Sequence, residues 1–182
     1  MIQLDSDGVL ADWRWYMEKH HFKGFTVPEF NAMDPCRRSS ILQEIYRKDP
    51  DLFEKLPRIR EMGRVIQYLN RSGEPWGVIT SAGEDHPDFE YAAVSKKNWL
   101  LKNFDIEPHR VIVTESSSDK AQHAGPDTLL IDDFGRNCRE WCAAGGKAIW
   151  VHTGKPDVDA ILQAIEDFIN GKALFQEPLI SV

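Results

Sequence analysis

Apolar and β-branched residues gather along the chain in five short unbroken runs: IQL at 2–4, WGVI at 76–79, RVIV at 110–113, TLLI at 128–131 and AIWV at 148–151. Runs of this length that do not alternate with polar residues predict strands buried on both faces of a parallel sheet. Between them the spacing changes to that of a helix. Met62, Val65, Ile66 and Leu69 stand at i, i+3, i+4 and i+7, and Gly73 follows where a helix C-cap belongs. Further helical patterns run from about Tyr91 to Phe104 and from about Phe134 to Ala144, ahead of Gly145-Gly146. The last passes through Val158, Ile161, Leu162, Ile165 and Phe168 to Gly171. Strand–helix alternation of this kind predicts an α/β fold with a doubly wound, five-stranded parallel sheet.

One interval breaks the rhythm. More than forty residues separate the first run from the helix at 61–72, where a plain crossover needs far fewer. The interval holds Trp13, Trp15, Tyr16, Phe22, Phe25, Phe30, Tyr46 and Phe53, with a helix expected around Ser39–Arg47. It is read as a small helical cap over residues 13–57, inserted after the first strand into a core of 1–12 and 58–182. Its place is over the carboxyl ends of the strands, where open α/β sheets bind ligands. Most of its aromatics are expected to be the insertion's own core, since small helical units need large side chains to bury.

Composition narrows the partners. A net charge of −7 on 182 residues argues against extended nucleic-acid binding, which needs a basic surface. It leaves room for a small anionic substrate in a locally positive pocket. The three cysteines, Cys36, Cys138 and Cys142, show no metal-type spacing, and Cys138 and Cys142 are expected to pack on one helix. The six histidines form no ligand pattern, and most are expected at the surface or in turns. No apolar run reaches membrane-spanning length, and the first run begins at residue 2. The expectation is a cytoplasmic protein without a leader.

The polar residues that end the runs carry the chemistry. Asp5-Ser6-Asp7 follows the first, Thr80-Ser81 the second and Asp132-Asp133 the fourth. In a parallel sheet these positions meet at one edge. Four carboxylates gathered there repel one another unless a cation sits among them. An oxygen-only set suits Mg²⁺, a hard ion that also takes a phosphate oxygen.

DSDGVLADW resembles the first motif of the haloacid dehalogenase-like phosphohydrolases, Asp-x-Asp-Gly after the first strand. VITSAG is similar to the second motif, Lys120 in SSSDKAQ to the third, and LLIDD to the fourth. The likeness runs over nearly the whole chain, with the insertion where that superfamily carries its cap. DLFEKLPRI, ITSAG, KKNW, Asp119-Lys120 and LLIDD together resemble, more narrowly, the 5'(3')-deoxyribonucleotidase family. Two departures bear on the substrate: Ser118 stands where that family tends to carry an arginine, and the segment from Gly83 to Lys96 is longer.

The resemblance implies a phosphatase that hydrolyses nucleoside monophosphates. Asp5 is then the nucleophile that forms an aspartyl-phosphate, and Asp7 the acid that protonates the leaving oxygen and later activates water. Gly8 turns the chain away without a Cβ near the phosphate. Thr80 or Ser81, with Thr80 ending the strand more directly, binds a phosphoryl oxygen. Lys120 neutralises charge in the transition state, and Lys96 is a further substrate-binding candidate. Mg²⁺ falls to Asp5, the backbone carbonyl of Asp7 and Asp133, with Asp132 a second ligand or the partner behind it. Trp13 either stacks on a nucleobase or belongs to the cap core. The expected partner is a small phosphorylated substrate, a nucleotide on this resemblance; no membrane is expected, and an oligomer is compatible with the sequence. Two other readings stay open: a phosphatase for another small ester or a nucleic-acid 3'-phosphate, and a catalytically silent binding module.

Overall fold

The computed structural model describes residues 1–172. The part of the expected core at 173–182 lies outside the described residues. The five runs become strands β1 (Ile2–Leu4), β2 (Trp76–Ser81), β3 (Val111–Thr114), β4 (Leu129–Asp132) and β5 (Lys147–Trp150). They form one parallel sheet in the order β3-β2-β1-β4-β5. β2 runs two residues past its apolar stretch, so Thr80 and Ser81 belong to the strand itself.

Helices α1 (Trp13–His20), α2 (Val27–Asn31), α3 (Pro35–Lys48) and α4 (Leu52–Lys55) lie between β1 and the crossover helix α5 (Gly63–Ser72). α6 (Phe89–Phe104), α7 (Gly135–Ala143) and α8 (Val158–Ile169) follow β2, β4 and β5. The strand period of two divides the unbroken runs between two cores. Leu129 and Ile131 join Val65, Ile66 and Leu69 of α5 and Ile161 and Ile165 of α8. Leu130, between them, instead joins Ile79 and Trp141 of α7. A strand with apolar partners on both sides needs no polar face, which is why its sequence does not alternate.

The chain winds outward from β1 in both directions, so the carboxyl ends of β1 and β4 flank the point where such sheets bind ligands. α5 closes on Gly73 with a left-handed φ of 77°, as the Gly at this position foretold.

The insertion holds four helices where the apolar period revealed one, the stretch within α3. The others are short, and α1, α2 and α3 start on side-chain caps while α4 does not. Asp12 caps α1, Thr26 and Glu29 form a reciprocal capping box on α2, and Asp34 caps α3 ahead of Pro35. Phe22 packs against Phe25 and Phe30 with ring centroids 4.6 and 4.8 Å apart. These rings are the insertion's own core, whereas Trp15 stays 45% exposed. Asp49, at the end of α3, ties the helices together by accepting from Tyr16 and His21 of the α1 segment and from Lys55 of α4. Among the described residues, no helix is long and apolar enough to cross a membrane.

Candidate active site

The strand ends meet as the sequence predicts. The Asp5 N–H donates to the Ile131 carbonyl at 2.8 Å, extending the β1–β4 ladder one residue past β1. Asp5 is thus held by backbone at the switch point. Its Oδ1 accepts from the Ser6 N–H at 2.7 Å and pairs with Lys120 Nζ at 2.9 Å. Lys120, from the 3-10 turn at Ser118–His123, also reaches Asp132 Oδ2 at 2.8 Å. Lys120 and Asp132 are 2% and 0% exposed, so this ammonium sits between two carboxylates with almost no water.

Asp132 and Asp133 are adjacent but differ in their partners. Both oxygens of Asp132 are engaged inside the protein, Oδ1 by the Phe134 N–H at 2.8 Å and Oδ2 by Lys120 and by Asn137 Nδ2 at 3.0 Å. Asp133 instead lies against Gly8. A Cβ on Gly8 would sit 2.0 Å from Asp133 Oδ2, and Gly8 has a φ of 84°. Glycine is required there twice over, for conformation and for room. One oxygen from each of Asp5, Asp132 and Asp133 can gather within 4.8 Å.

Burial pushes the Asp5 carboxyl up to about 7, with Lys120 opposing the rise and Asp132 and Asp7 adding to it. Burial likewise raises Asp133 well above the usual carboxylate range, with Asp132 and Asp5 adding to the rise. Three carboxylates face one ammonium here. The oxygen-only donor set and its uncompensated negative charge fit a hard divalent cation.

Asp7 lies outside that trio. Its Oδ2 is 2.5 Å from Lys96 Nζ, while its Oδ1 is buried without a hydrogen-bond partner. Lys96, on α6, is 2% exposed and also donates to Thr80 Oγ1 at 3.3 Å. Its ammonium lies over the ring of Phe53, on α4 of the insertion, 4.2 Å from the centroid. Ser81 is differently engaged: its hydroxyl donates to the Glu115 carbonyl and accepts from the Gly83 N–H, both at 3.1 Å. Of the two hydroxyls, Thr80 is the one that joins the charged groups.

A cavity of about 330 Å³ opens over these residues. Asp5, Asp7, Gly8, Thr80, Lys120 and Asp133 line its floor, and Trp13, Val27, Leu42, Tyr46 and Phe53 of the insertion roof it. Trp13 lines the cavity while its ring packs edge-on against Phe22 at 6.0 Å. A larger groove of about 550 Å³ between the start of α5 and the end of α6 contains none of these groups.

Sequence reasoning missed several of the lining residues. Asn137 reaches the site from α7 because it follows Asp132 by five residues across a tight strand–helix turn. Tyr46, Leu42 and Asn31 arrive from the insertion, whose helices carry no motif that announces them. Among the histidines, most of them expected at the surface or in turns, His86 lies in a turn yet is 7% exposed and packs on Tyr46 with ring centroids 5.0 Å apart. Although Ser118 stands ahead of Asp119-Lys120, an arginine does reach this corner: Arg136 Nη2 of α7 donates to Ser117 Oγ at 2.6 Å. Cys138 packs as expected, buried, with its Sγ 3.6 Å from the Asp132 carbonyl.

Solved structures share this architecture. A hydrolase from Pseudomonas syringae is 13% identical, covers 98% of this chain and 93% of its own, and has a TM-score of 0.51. A HAD hydrolase of family IA, variant 3, from Entamoeba histolytica is also 13% identical over 95% of this chain and 90% of its own, with a TM-score of 0.54. A HAD family hydrolase from Deinococcus radiodurans, solved with bound phosphate and sodium, is 12% identical over 96% and 97%, with a TM-score of 0.51. No family model and no curated protein matches the chain in sequence. At this identity the likeness is one of architecture: the chain has the haloacid dehalogenase-like α/β fold, with its acidic cluster at the carboxyl ends of the central strands.

Proposed function

We propose that the protein is a Mg²⁺-dependent phosphatase that hydrolyses nucleoside monophosphates through an aspartyl-phosphate. Residues 13–57 act as its cap, over a core of 1–12 and 58–182. The observation that carries this reading is the cavity floor. Asp5 and Asp7 lie two residues apart, each paired with its own buried lysine, beneath a roof rich in aromatic rings. The Deinococcus radiodurans structure, with phosphate bound on the same fold, agrees with it.

Asp5 and Asp133 would hold Mg²⁺, backed by Asp132 and completed by the backbone carbonyl of Asp7; the ion supplies positive charge to the phosphoryl oxygens. The Asp5 carboxylate attacks phosphorus, forming an Asp5–phosphorus bond as the bond to the leaving oxygen breaks. Asp7 gives that oxygen its proton. It then takes a proton from the water that displaces the phosphoryl group, which frees Asp5 and releases inorganic phosphate. Lys120 favours the charged form of Asp5 against its burial and balances the charge that grows on the phosphoryl group. Thr80 donates to a non-bridging oxygen. The roof shields the phosphoryl-enzyme from stray water and offers Trp13 and Tyr46 to a flat base.

Phosphate release across nucleoside monophosphates, sugar phosphates and 3'-phosphorylated oligonucleotides tests the substrate class. The expected result is Mg²⁺-dependent release, highest from nucleoside monophosphates. A preference for either other class overturns the nucleotide assignment. Base stacking on Trp13 predicts that Trp13→Ala raises KM for a nucleoside monophosphate about tenfold, equivalent to ~1.4 kcal/mol. p-Nitrophenyl phosphate should be much less affected; equal losses on both, with a lower Tm, would make Trp13 purely structural.

A further inference from the structure

Lys96 is a cation enclosed by three elements, and each contact has a separate consequence. Asp7 Oδ2 gives it a counter-charge at 2.5 Å, Thr80 Oγ1 accepts from it at 3.3 Å, and Phe53 closes it off with a ring face 4.2 Å away. A buried ammonium needs such partners, because each one lost leaves a charge without solvation. Asp7 Oδ2 is occupied by the lysine, so Oδ1, which has no protein partner, is the oxygen left for the substrate. The ring comes from the insertion, and α4 is fastened to α6 on either side of it: Tyr91 donates to Asp51, and Ser95 to Glu54 at 3.3 Å.

We propose that Lys96, seated against Phe53 of the cap, is a positioning residue that holds Asp7 in register for proton transfer, making acid–base chemistry conditional on a seated cap. This rests on the reading of Asp7 as the acid–base group. Lys96 takes no proton from the substrate. It fixes one carboxylate oxygen so that the other delivers a proton to the leaving alkoxide as the P–O bond breaks, and recovers one from water afterwards. The cation–π face of Phe53 favours the ammonium where water would otherwise compete for it. Loss of the ring frees the lysine, and a freed lysine lets Asp7 turn.

The distinguishing readout is dependence on the leaving group. An alkoxide leaving from a nucleoside monophosphate needs a proton, whereas p-nitrophenolate leaves without one. Lys96→Met should lower kcat about 100-fold or more for the nucleoside monophosphate, in the range of general acid catalysis, and less than about tenfold for p-nitrophenyl phosphate. Phe53→Leu should shift the two rates in the same sense, and Phe53→Tyr, which keeps the ring face, should recover most of the difference. Equal losses on both esters, or a higher KM at unchanged kcat, would overturn the proposal and make Lys96 a phosphate-binding residue. If the wild-type protein hydrolyses neither ester, the phosphatase reading fails by itself. The seat is then tested by ¹⁵N NMR of the Lys96 ammonium. A solvent-protected signal that Phe53→Leu removes and Phe53→Tyr keeps supports the seat, and its absence from the wild type overturns it.

Discussion

The two buried lysines of the site, each 2% exposed, are built in different ways. Lys120 lies between Asp5 and Asp132, both ends of neighbouring strands whose positions are set by the β1–β4 ladder. Lys96 joins Asp7 of the loop after β1, Thr80 of β2 and Phe53 of the insertion. The first constellation belongs wholly to the sheet and its turns. The second is complete only where the insertion meets the core. The partners of Lys120 are therefore set by the sheet, while those of Lys96 include a ring of the insertion, on which the proposed placement of Asp7 depends.

This contrast can be broken from either side. The largest effect is expected from Lys120→Met, which removes the cation between Asp5 and Asp132. Breaking a buried pair of this kind costs about 3–5 kcal/mol, and loss of one electrostatic stabiliser lowers kcat roughly 10²–10³-fold. Denaturant melts and phosphate release measure the two; the loss should be equal for nucleotide and p-nitrophenyl esters, unlike that of Lys96→Met. Next comes Gly8→Ala. Its new Cβ falls 2.0 Å from Asp133 Oδ2 at a φ of 84°, so the carboxylate must move. The Mg²⁺ concentration for half-maximal activity should rise about 10–100-fold, as when support of a metal ligand is lost. An unchanged titration would remove Asp133 from the ligand set.

A smaller effect tests the insertion alone. Burial by itself would raise the Asp49 carboxyl, but hydrogen bonds and charge from Lys55, with Tyr16 and His21, bring it below the usual carboxylate range. A carboxyl lower in the folded than in the unfolded protein stabilises the fold above its unfolded pKa, and that contribution fades as pH falls through the folded value. Asp49→Asn should therefore cost about 1 kcal/mol at neutral pH, and the difference from wild type should close on acidification below about pH 4. A gap that stays constant down to pH 2 would contradict the assignment.

The two constellations also differed in how far the sequence showed them. Asp5, Thr80, Asp132 and Asp133 were legible because an unbroken apolar run marks a central strand and the polar residue after it marks its carboxyl end, whereas Lys120, in a 3-10 turn beyond β3, was named only through the motif resemblance. Parallel topology then brings these ends together without further information. Phe53, Tyr46 and Asn137 were not, because their places depend on which way a helix faces after packing. α2 and α4 have five and four residues, too few for an apolar period to show. The Thr26-x-x-Glu29 spacing of the capping box was the available signal for α2. The burial of His86 was illegible for a related reason: the loop after β2 folds under the insertion, so a polar residue in a turn is covered by Tyr46 and Phe53.

The central claim is that Asp5 attacks phosphorus. Its most direct test is Mg²⁺-dependent phosphate release from a nucleoside monophosphate by the wild-type protein and by Asp5→Asn. The amide has nearly the shape of the carboxylate, and Asp132 remains to pair with Lys120, so the Tm should hold. Turnover by the wild type with no release by the variant above background is the predicted result. Comparable release from both would contradict the account.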